Sequence, residues 1–305
     1  MIYTCTTNPS LDYYITIPEL KLGTDMRSEN EMYDAGGKGV NVSIVLNNFR
    51  IPNVCLGFLG GFVKDYYLDF ISNYPNIQPL FTPIKDNTRI NLKIVDYKDE
   101  TGINAKGPII TDEEFDKFRS RLSNIYAGDI FVLSGNIQNE IKDRMIDIVR
   151  QLIDEGVKVV LDSDLDILER CIGLKLFAVK LNRNNMPKDT DIINYGKYLV
   201  ENGIENVLYS TRNEKSYLIT NNEVLECDSL NGSLINVTGT SDSLVAGFLY
   251  GKIRAADSIE SFKYANAASL ATVMSNDLGS KEKIEELFET IKVNSLWRNY
   301  YWYFY

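Results

Sequence analysis

The chain has 305 residues, 44% of them apolar and 24% charged, enough for one large α/β domain with a full core or two smaller ones. Thirty-two basic residues against 42 acidic ones leave a net charge of −10, and no basic stripe marks a polyanion-binding surface, so nucleic acid is not an expected partner. There is no histidine, which excludes Ser-His-Asp and Cys-His hydrolysis and His-rich zinc sites and leaves acid–base work to carboxylates, lysine, tyrosine or cysteine.

The N-terminus lacks a basic n-region and an apolar h-region, and no apolar run reaches the ~18 residues of a membrane span. A cytoplasmic protein without membrane contact is expected. Cys5, Cys55, Cys171 and Cys227 are far apart and read as buried free thiols.

In chain order, Ile2 to Thr6 is a short strand closed by the turn signal Asn8-Pro9-Ser10, and Tyr13 to Ile17 is another. Gly36-Gly37-Lys38-Gly39 then feeds a helix carrying Val40, Ile44 and Val45. Strands follow at Val54 to Phe58 and Thr88 to Val95. Thr111-Asp112-Glu113-Glu114 is a capping box ahead of a helix with Phe115, Phe118, Leu122 and Ile125 on one face. Ile130 to Leu133, Val157 to Leu161, Phe177 to Leu181 and Val207 to Tyr209 are apolar strands separated by helices near 141–152 and 192–200. Leu218–Ile219 and Val224–Cys227 read as a hairpin, and helices are expected at 242–253, 258–274 and 281–291. The aromatic tail from Trp297 reads as a docked segment or an oligomer contact.

This alternation predicts an α/β fold: one domain over 1–305, with a mostly parallel central sheet and helices on both faces. Segments at about 10–35 and 85–105 lack helices of their own and are expected to form a small β lid. An uncovered lid sheet favours a homodimer through that lid.

Two motifs suit the carboxyl edge of such a sheet, where ligands bind. In Ala35-Gly36-Gly37-Lys38-Gly39-Val40-Asn41 the glycines let backbone N–H groups approach an anion, and Lys38 adds charge. It is not a Walker A loop, because Met32 and Gly39 stand where glycine and Ser/Thr are required. The other is Gly239-Thr240-Ser241-Asp242, running into a helix. There the helix N-terminus can stabilise a phosphoryl group, and Asp242 either takes a proton from an attacking hydroxyl or merely stabilises the helix end. Asp162-Ser163-Asp164-Leu165-Asp166 has the beginnings of a calcium loop, but Ile167 and Gly173 replace its essential glycine and glutamate, and it reads as a solvated acidic turn.

These segments together resemble the ribokinase/phosphofructokinase-B family of carbohydrate kinases, nearest its branch of 1-phosphofructokinases and tagatose-6-phosphate kinases. The resemblance covers nearly the whole chain. It rests on Thr7-Asn8-Pro9-Ser10-Leu11-Asp12, Gly36-Gly37-Lys38-Gly39-Val40-Asn41-Val42, Gly57-Phe58-Leu59-Gly60-Gly61, Thr88-Arg89-Ile90-Asn91, Gly107-Pro108, Ser134-Gly135 and Gly239-Thr240-Ser241-Asp242-Ser243, in that order. It implies a ribokinase-like fold and transfer of the ATP γ-phosphoryl, with Mg²⁺, to a ketohexose phosphate. Fructose 1-phosphate is the first choice and tagatose 6-phosphate the second.

By resemblance Asp242 is the catalytic base, and Gly239, Thr240 and Ser241 form the anion hole. Asp12, Gly37, Asn41, Asn91 and Ser134 contact the sugar substrate, and Lys38 and Arg89 hold its phosphate. Asn182, Ser210, Thr211, Lys215 and Gly239 meet the nucleotide; no metal ligand is assigned.

Departures gather on the nucleotide side. Gly-Thr-Ser-Asp replaces the usual Gly-Ala-Gly-Asp, which would strain Ser241 if that position needs positive φ. Asn185 stands where the family's Asn-x-x-Glu has its glutamate, and the loop Ser210-Thr211-Arg212-Asn213-Glu214-Lys215-Ser216 has lost its glycines. Lys215 or Lys38 is expected to reach the transferring phosphoryl in compensation. A different class, a weakly catalytic homologue that binds sugar phosphate as a sensor, is also consistent with these changes. A nucleoside or vitamin kinase suits the two cations less well.

Overall fold

The computed structural model describes residues 1–97, 99–211, 214–228, 235 and 238–298. Arg212 and Asn213 of the serine loop, Asn236 and Val237 ahead of the second motif, and residues 299–305 of the aromatic tail lie outside the described residues.

The first third contains β1 (Ile2–Thr6), β2 (Ser10–Thr16), β3 (Asn30–Gly36), α1 (Lys38–Asn48), β4 (Asn53–Gly60), α2 (Val63–Ser72), β5 (Ile77–Pro79), β6 (Thr82–Ile84), β7 (Arg89–Val95) and β8 (Glu100–Ile103). Helix and strand then alternate: α3 (Asp112–Arg121), β9 (Ile130–Ser134), α4 (Lys142–Asp154), β10 (Lys158–Asp162), α5 (Leu165–Cys171), β11 (Ala178–Leu181), α6 (Ile192–Glu201) and β12 (Asn206–Tyr209). The hairpin β13 (Ser216–Thr220) and β14 (Glu223–Cys227) precedes α7 (Thr240–Ile253), α8 (Ser258–Val273), α9 (Lys281–Phe288) and β15 (Val293–Arg298).

The main sheet runs β15-β14-β13-β12-β11-β10-β9-β1-β4-β5, with β6 also on β4. Pairings from β5 through β12 are parallel, and those from β12 to β15 are antiparallel. From β1 the chain builds outward to β4 and β5, then returns to the other side of β1 to lay down β9 and its successors. The β1/β9 junction is therefore the topological switch point, and the carboxyl ends beside it form the natural ligand crevice.

Successive strand residues face opposite sides, and both sides are covered. Tyr3, Cys5, Val159 and Leu161 pack under the apolar faces of α3 to α6. Ile2, Val160 and Leu208 pack under α1, α7, α8 and α9. The capping box forms as the sequence dictates: Thr111 accepts from the Glu114 backbone N–H, and the Glu114 carboxylate accepts from that of Thr111. The same carboxylate also accepts the Lys85 N–H at 2.7 Å, tying the helix start to the β6 end.

A second sheet, β3-β2-β7-β8, is built from the two helix-free segments. In register, Asp12 stands between Asp34 on β3 and Asn91 on β7. Tyr14, on the same face, hydrogen-bonds with Thr238 just ahead of α7, so this face looks toward the α7 N-terminus. The opposite face is largely apolar, with Glu31 at its edge accepting from the Tyr13 hydroxyl. Tyr13 and Tyr33 stack there with centroids 4.5 Å apart, and Ile90 and Ile103 are 39% and 57% exposed.

Three features differ from expectation. Val63–Ser72 is a helix where none was read. Leu165–Cys171 is a helix where a turn was expected, with the exposed Asp164 at its N-cap, and Asp162 just before it is not solvated but 1% exposed. The last segment is not helical throughout: α9 ends at Phe288, and Val293–Arg298 pairs antiparallel with β14. Beside that strand, Lys197 lies over the Trp297 ring at 5.9 Å.

Candidate active site

The crevice at the switch point is framed by two helix starts. Helix α1 begins at Lys38 after Gly37, whose φ is +149° and whose added Cβ would lie 2.9 Å from Thr6 Cγ2. Helix α7 begins at Thr240 after Gly239, which is left-handed with φ +74°. Thr240, Ser241 and Asp242 are thus the first three residues of α7, where backbone N–H groups lack intrahelical acceptors and the dipole favours negative charge. Ser241 is helical and is not among the positive-φ residues. The anticipated strain is absent because Gly239 absorbs the left-handed turn.

Asp242 is 4% exposed. Its Oδ2 accepts from Asn41 Nδ2 at 2.8 Å, while its Oδ1 is buried without a hydrogen-bond partner. Burial, then the nearby Asp162 carboxylate, pushes its pKa up to about 6 against the pull of Lys38, Asn41 and Lys180. A carboxylate poised near neutrality with one free oxygen is equipped to take a proton.

Lys38 Nζ donates to Asp162 Oδ1 at 3.1 Å. Burial pulls the Lys38 ammonium down, but Asp162, Asp242 and Asp164 outweigh it and leave its pKa raised. Lys180, on β11, is 2% exposed and faces the same two carboxylates, yet burial keeps its pKa lowered. Neither Asp162 nor Lys180 is a candidate site residue by sequence: Asp162 is read with the acidic turn, and Lys180 is not singled out. Each has a signal in hindsight: a lysine inside the apolar run Phe177–Leu181, and an aspartate closing the apolar strand Val157–Leu161, both at the ligand-binding edge of a parallel sheet.

A cavity of about 480 Å³ opens from this charged group. Lys38, Lys180, Thr240 and Ser241 line it together with Asn182, Ser210 and Thr211. Lys215 does not line it: its ammonium is drawn off by Glu226 at 2.6 Å and Asp228 at 3.5 Å. That position therefore offers no compensation for the lost loop glycines.

The Asn182 and Asn185 side chains are occupied within the protein. Asn182 Oδ1 accepts from the Asn184 and Asn185 N–H groups at 2.7 and 3.2 Å. Asn185 Oδ1 accepts from Asn182 N, and its Nδ2 donates to the carbonyls of Ser163 and Lys180 at 3.0 and 3.1 Å. It clamps the ends of β10 and β11 together.

Under the small sheet, Asp12 Oδ1 accepts from Ser10 Oγ at 2.7 Å and from Asn91 Nδ2 at 2.8 Å. Arg89 donates from Nε and Nη2 to the Asn8 carbonyl and from Nη1 to that of Ala105. Burial lowers its pKa, offset in part by Asp12 and Tyr67. Lys38 and Arg89, read as one phosphate clamp, thus keep different company: Lys38 stands with Asp162 and Asp242, and Arg89 with Asp12. Ser134, at the end of β9, contributes a buried Oγ with no partner.

This geometry defines a phosphotransferase-type crevice, and comparison with known proteins gives the class. Residues 7–284 match the pfkB family carbohydrate kinase profile. The chain is 34% identical to 1-phosphofructokinase of Bacillus subtilis (strain 168), over 97% of this chain and 100% of that protein. It is 31% identical to tagatose-6-phosphate kinase of Staphylococcus epidermidis (strain ATCC 35984), over 96% and 99%. Among solved structures, phosphofructokinase-2 from Escherichia coli superposes with a TM-score of 0.87 at 19% identity, covering 95% of this chain and 98% of that one. The fold is ribokinase-like, as the sequence resemblance implied. The chain belongs to the pfkB family of carbohydrate kinases, phosphotransferases with an alcohol group as acceptor, a membership that implies ATP as donor. Among the described residues no helix is long and apolar enough to cross a membrane.

Proposed function

We propose that this chain transfers the γ-phosphoryl of ATP to a primary hydroxyl of a ketohexose phosphate, with fructose 1-phosphate the first substrate and tagatose 6-phosphate the second. The observation that carries the reading is Asp242 Oδ1, a buried and unpartnered carboxylate oxygen at the positive end of α7. The acceptor hydroxyl donates its proton to that oxygen as its own oxygen attacks phosphorus in line. The N–H groups opening α7, with Gly239, Thr240 and Ser241, meet the charge on the equatorial oxygens. Lys38 and Lys180, both lining the cavity, neutralise charge on the nucleotide. Asp12, Asn91 and Asn41 orient the sugar with Gly37 and Ser134, and Arg89 meets its existing phosphate. Bidentate guanidinium geometry suits that task once the Asn8 and Ala105 carbonyls are exchanged for phosphate oxygens.

The family's nucleotide travels with Mg²⁺. Among the described residues no three acidic side chains gather into a metal site. Asn185 fills the place of the expected glutamate, and its amide is spent on three internal hydrogen bonds. The chain's own side chains therefore do not fit a dedicated Mg²⁺ cage, and no step is assigned to one.

The nucleotide-side departures favour one second reading, a sugar-phosphate sensor with little turnover. A coupled ADP-release assay with MgATP and a panel of sugar phosphates separates the two. ADP release fastest with fructose 1-phosphate is expected. Sugar-phosphate binding by folded protein without ADP release would establish the sensor instead. The uncovered apolar face of the small sheet supports a homodimer closed through it; a single-protomer mass in solution at micromolar concentration would refute that.

A further inference from the structure

We propose that Asp162 is a positioning residue of the transfer step: it accepts the Lys38 ammonium and fixes that cation between the nucleotide cavity and Asp242, where the phosphoryl group passes. This rests on the kinase reading above and adds to it a residue whose sequence context pointed to a solvated turn.

Three observations carry it. First, the two partners are unequally buried: Asp162 is 1% exposed, while the Lys38 side chain is 40% exposed. A pair between two surface charges is worth little, but a buried carboxylate that loses its cation is left uncompensated. The anchor is therefore Asp162, rigid at the end of a parallel strand, and the cation it holds keeps an open side toward the cavity. Second, Lys38 is the first residue of α1, whose opening turn contains no acidic side chain. The positive helix end repels an ammonium there, so something beyond local preference must hold Lys38, and its hydrogen-bonded partner is Asp162 at 3.1 Å. Third, Asn41 lies three residues further along α1, on the same face, and binds Asp242. One helix face thus delivers a cation to Asp162 and an amide to the proposed base. The groups facing Lys38 are Asp162 and Asp164 ahead of α5, Asp242 on α7 and Lys180 on β11.

Two measurements test this. The first is a double-mutant cycle with Lys38→Met and Asp162→Asn at saturating MgATP. If Asp162 acts through Lys38, each single variant lowers kcat about ten-fold or more, and the double variant stays within about two-fold of Lys38→Met. Additive losses would overturn the proposal. So would an Asp162→Asn defect that higher Mg²⁺ repairs, which would make Asp162 a metal ligand. The second needs no turnover and decides the point even if no sugar phosphate is phosphorylated. In lysine-labelled protein followed by NMR, the Lys38 ammonium titrates at lower pH in Asp162→Asn than in wild type. Asp162→Glu, which keeps the charge, restores most of the difference. An unmoved Lys38 titration would refute the positioning role whatever the kinase activity.

Discussion

Replacing Asp242 by asparagine should make the protein more stable while removing its activity. A carboxyl moved from an ordinary 3.8 to about 6 is, when ionised, about 3 kcal/mol less favourable in the fold than in the open chain, at about 1.36 kcal/mol per pH unit. The folded value lies above the open-chain one. The contribution of this group is therefore fully present only below about pH 4 and is lost as pH rises through about 6. Asparagine is nearly isosteric and can still accept from Asn41 through its amide oxygen. Its new N–H₂ group costs about 1 kcal/mol if left unpaired, which leaves a net gain of about 1–2 kcal/mol at pH 7.5. The decisive quantity is how that advantage changes with pH, because the amide cost is constant: between pH 4 and 7.5 it should grow by about 2 kcal/mol. Urea unfolding of both proteins at several pH values measures it. A stability difference that stays flat over that range would refute the claim that the fold holds Asp242 against its preference for the neutral form. In the same pair of proteins, kcat should fall by about 10²–10⁴, with sugar-phosphate affinity changed no more than a few-fold.

The same carboxyl should set the acid limb of the wild-type profile, with kcat/KM falling as pH drops through about 6; a limb near an ordinary carboxylate value would remove Asp242 from the role. Asn185→Glu, which restores the residue expected from the resemblance, should destabilise by about 2–4 kcal/mol in denaturant titration. It strands the Ser163 and Lys180 carbonyls and buries a charge at a position 5% exposed. Gly239→Ala should lower kcat and cost about 1–2 kcal/mol or more, since its Cβ would lie 2.4 Å from Leu278 Cδ2 at a φ of +74°; unchanged kinetics would mean that the α7 N-terminus does not meet phosphate. Arg89→Ala should raise KM for the sugar phosphate more than it lowers kcat, and an unchanged KM would place that phosphate elsewhere.

The alternation of apolar strands and amphipathic helices from Thr111 to Tyr209 was plain in the sequence, apart from the short helix Leu165–Cys171, because each of the other elements there buries a face that its own period marks. The capping box at Thr111 and the hairpin ending at Cys227 were legible for equally local reasons. Val63–Ser72 was missed although Val63, Tyr67 and Ile71 recur at helical spacing, because Phe62 at its N-cap gives no capping signal, and Asn30–Gly36 was expected only as part of the helix-free lid segment because its apolar support comes across the sheet, from Tyr13 to Tyr33. The terminal strand at Val293 depends on an edge that β14 offers only in three dimensions. In the site, glycine spacing located both helix starts. Asp162 escaped because an acidic cluster in one dimension looks solvated, and only the packing of β10 beside β9 and β11 shows that its first carboxylate is buried. Lys180 escaped for the complementary reason, as a single charge within an apolar strand. The separation of Arg89 from Lys38 follows from the register of β7 on β2, which no local signal encodes.

The 2.8 Å bond between Asn41 and Asp242 joins positions 201 residues apart. On the ribosome, the lid strands and the first glycine turn emerge long before the helix bearing the carboxylate has been made. A chain cut before α7 lacks both the carboxylate and the apolar face against which α1 packs, so the two helix starts of the crevice can meet only once nearly the whole domain has been made.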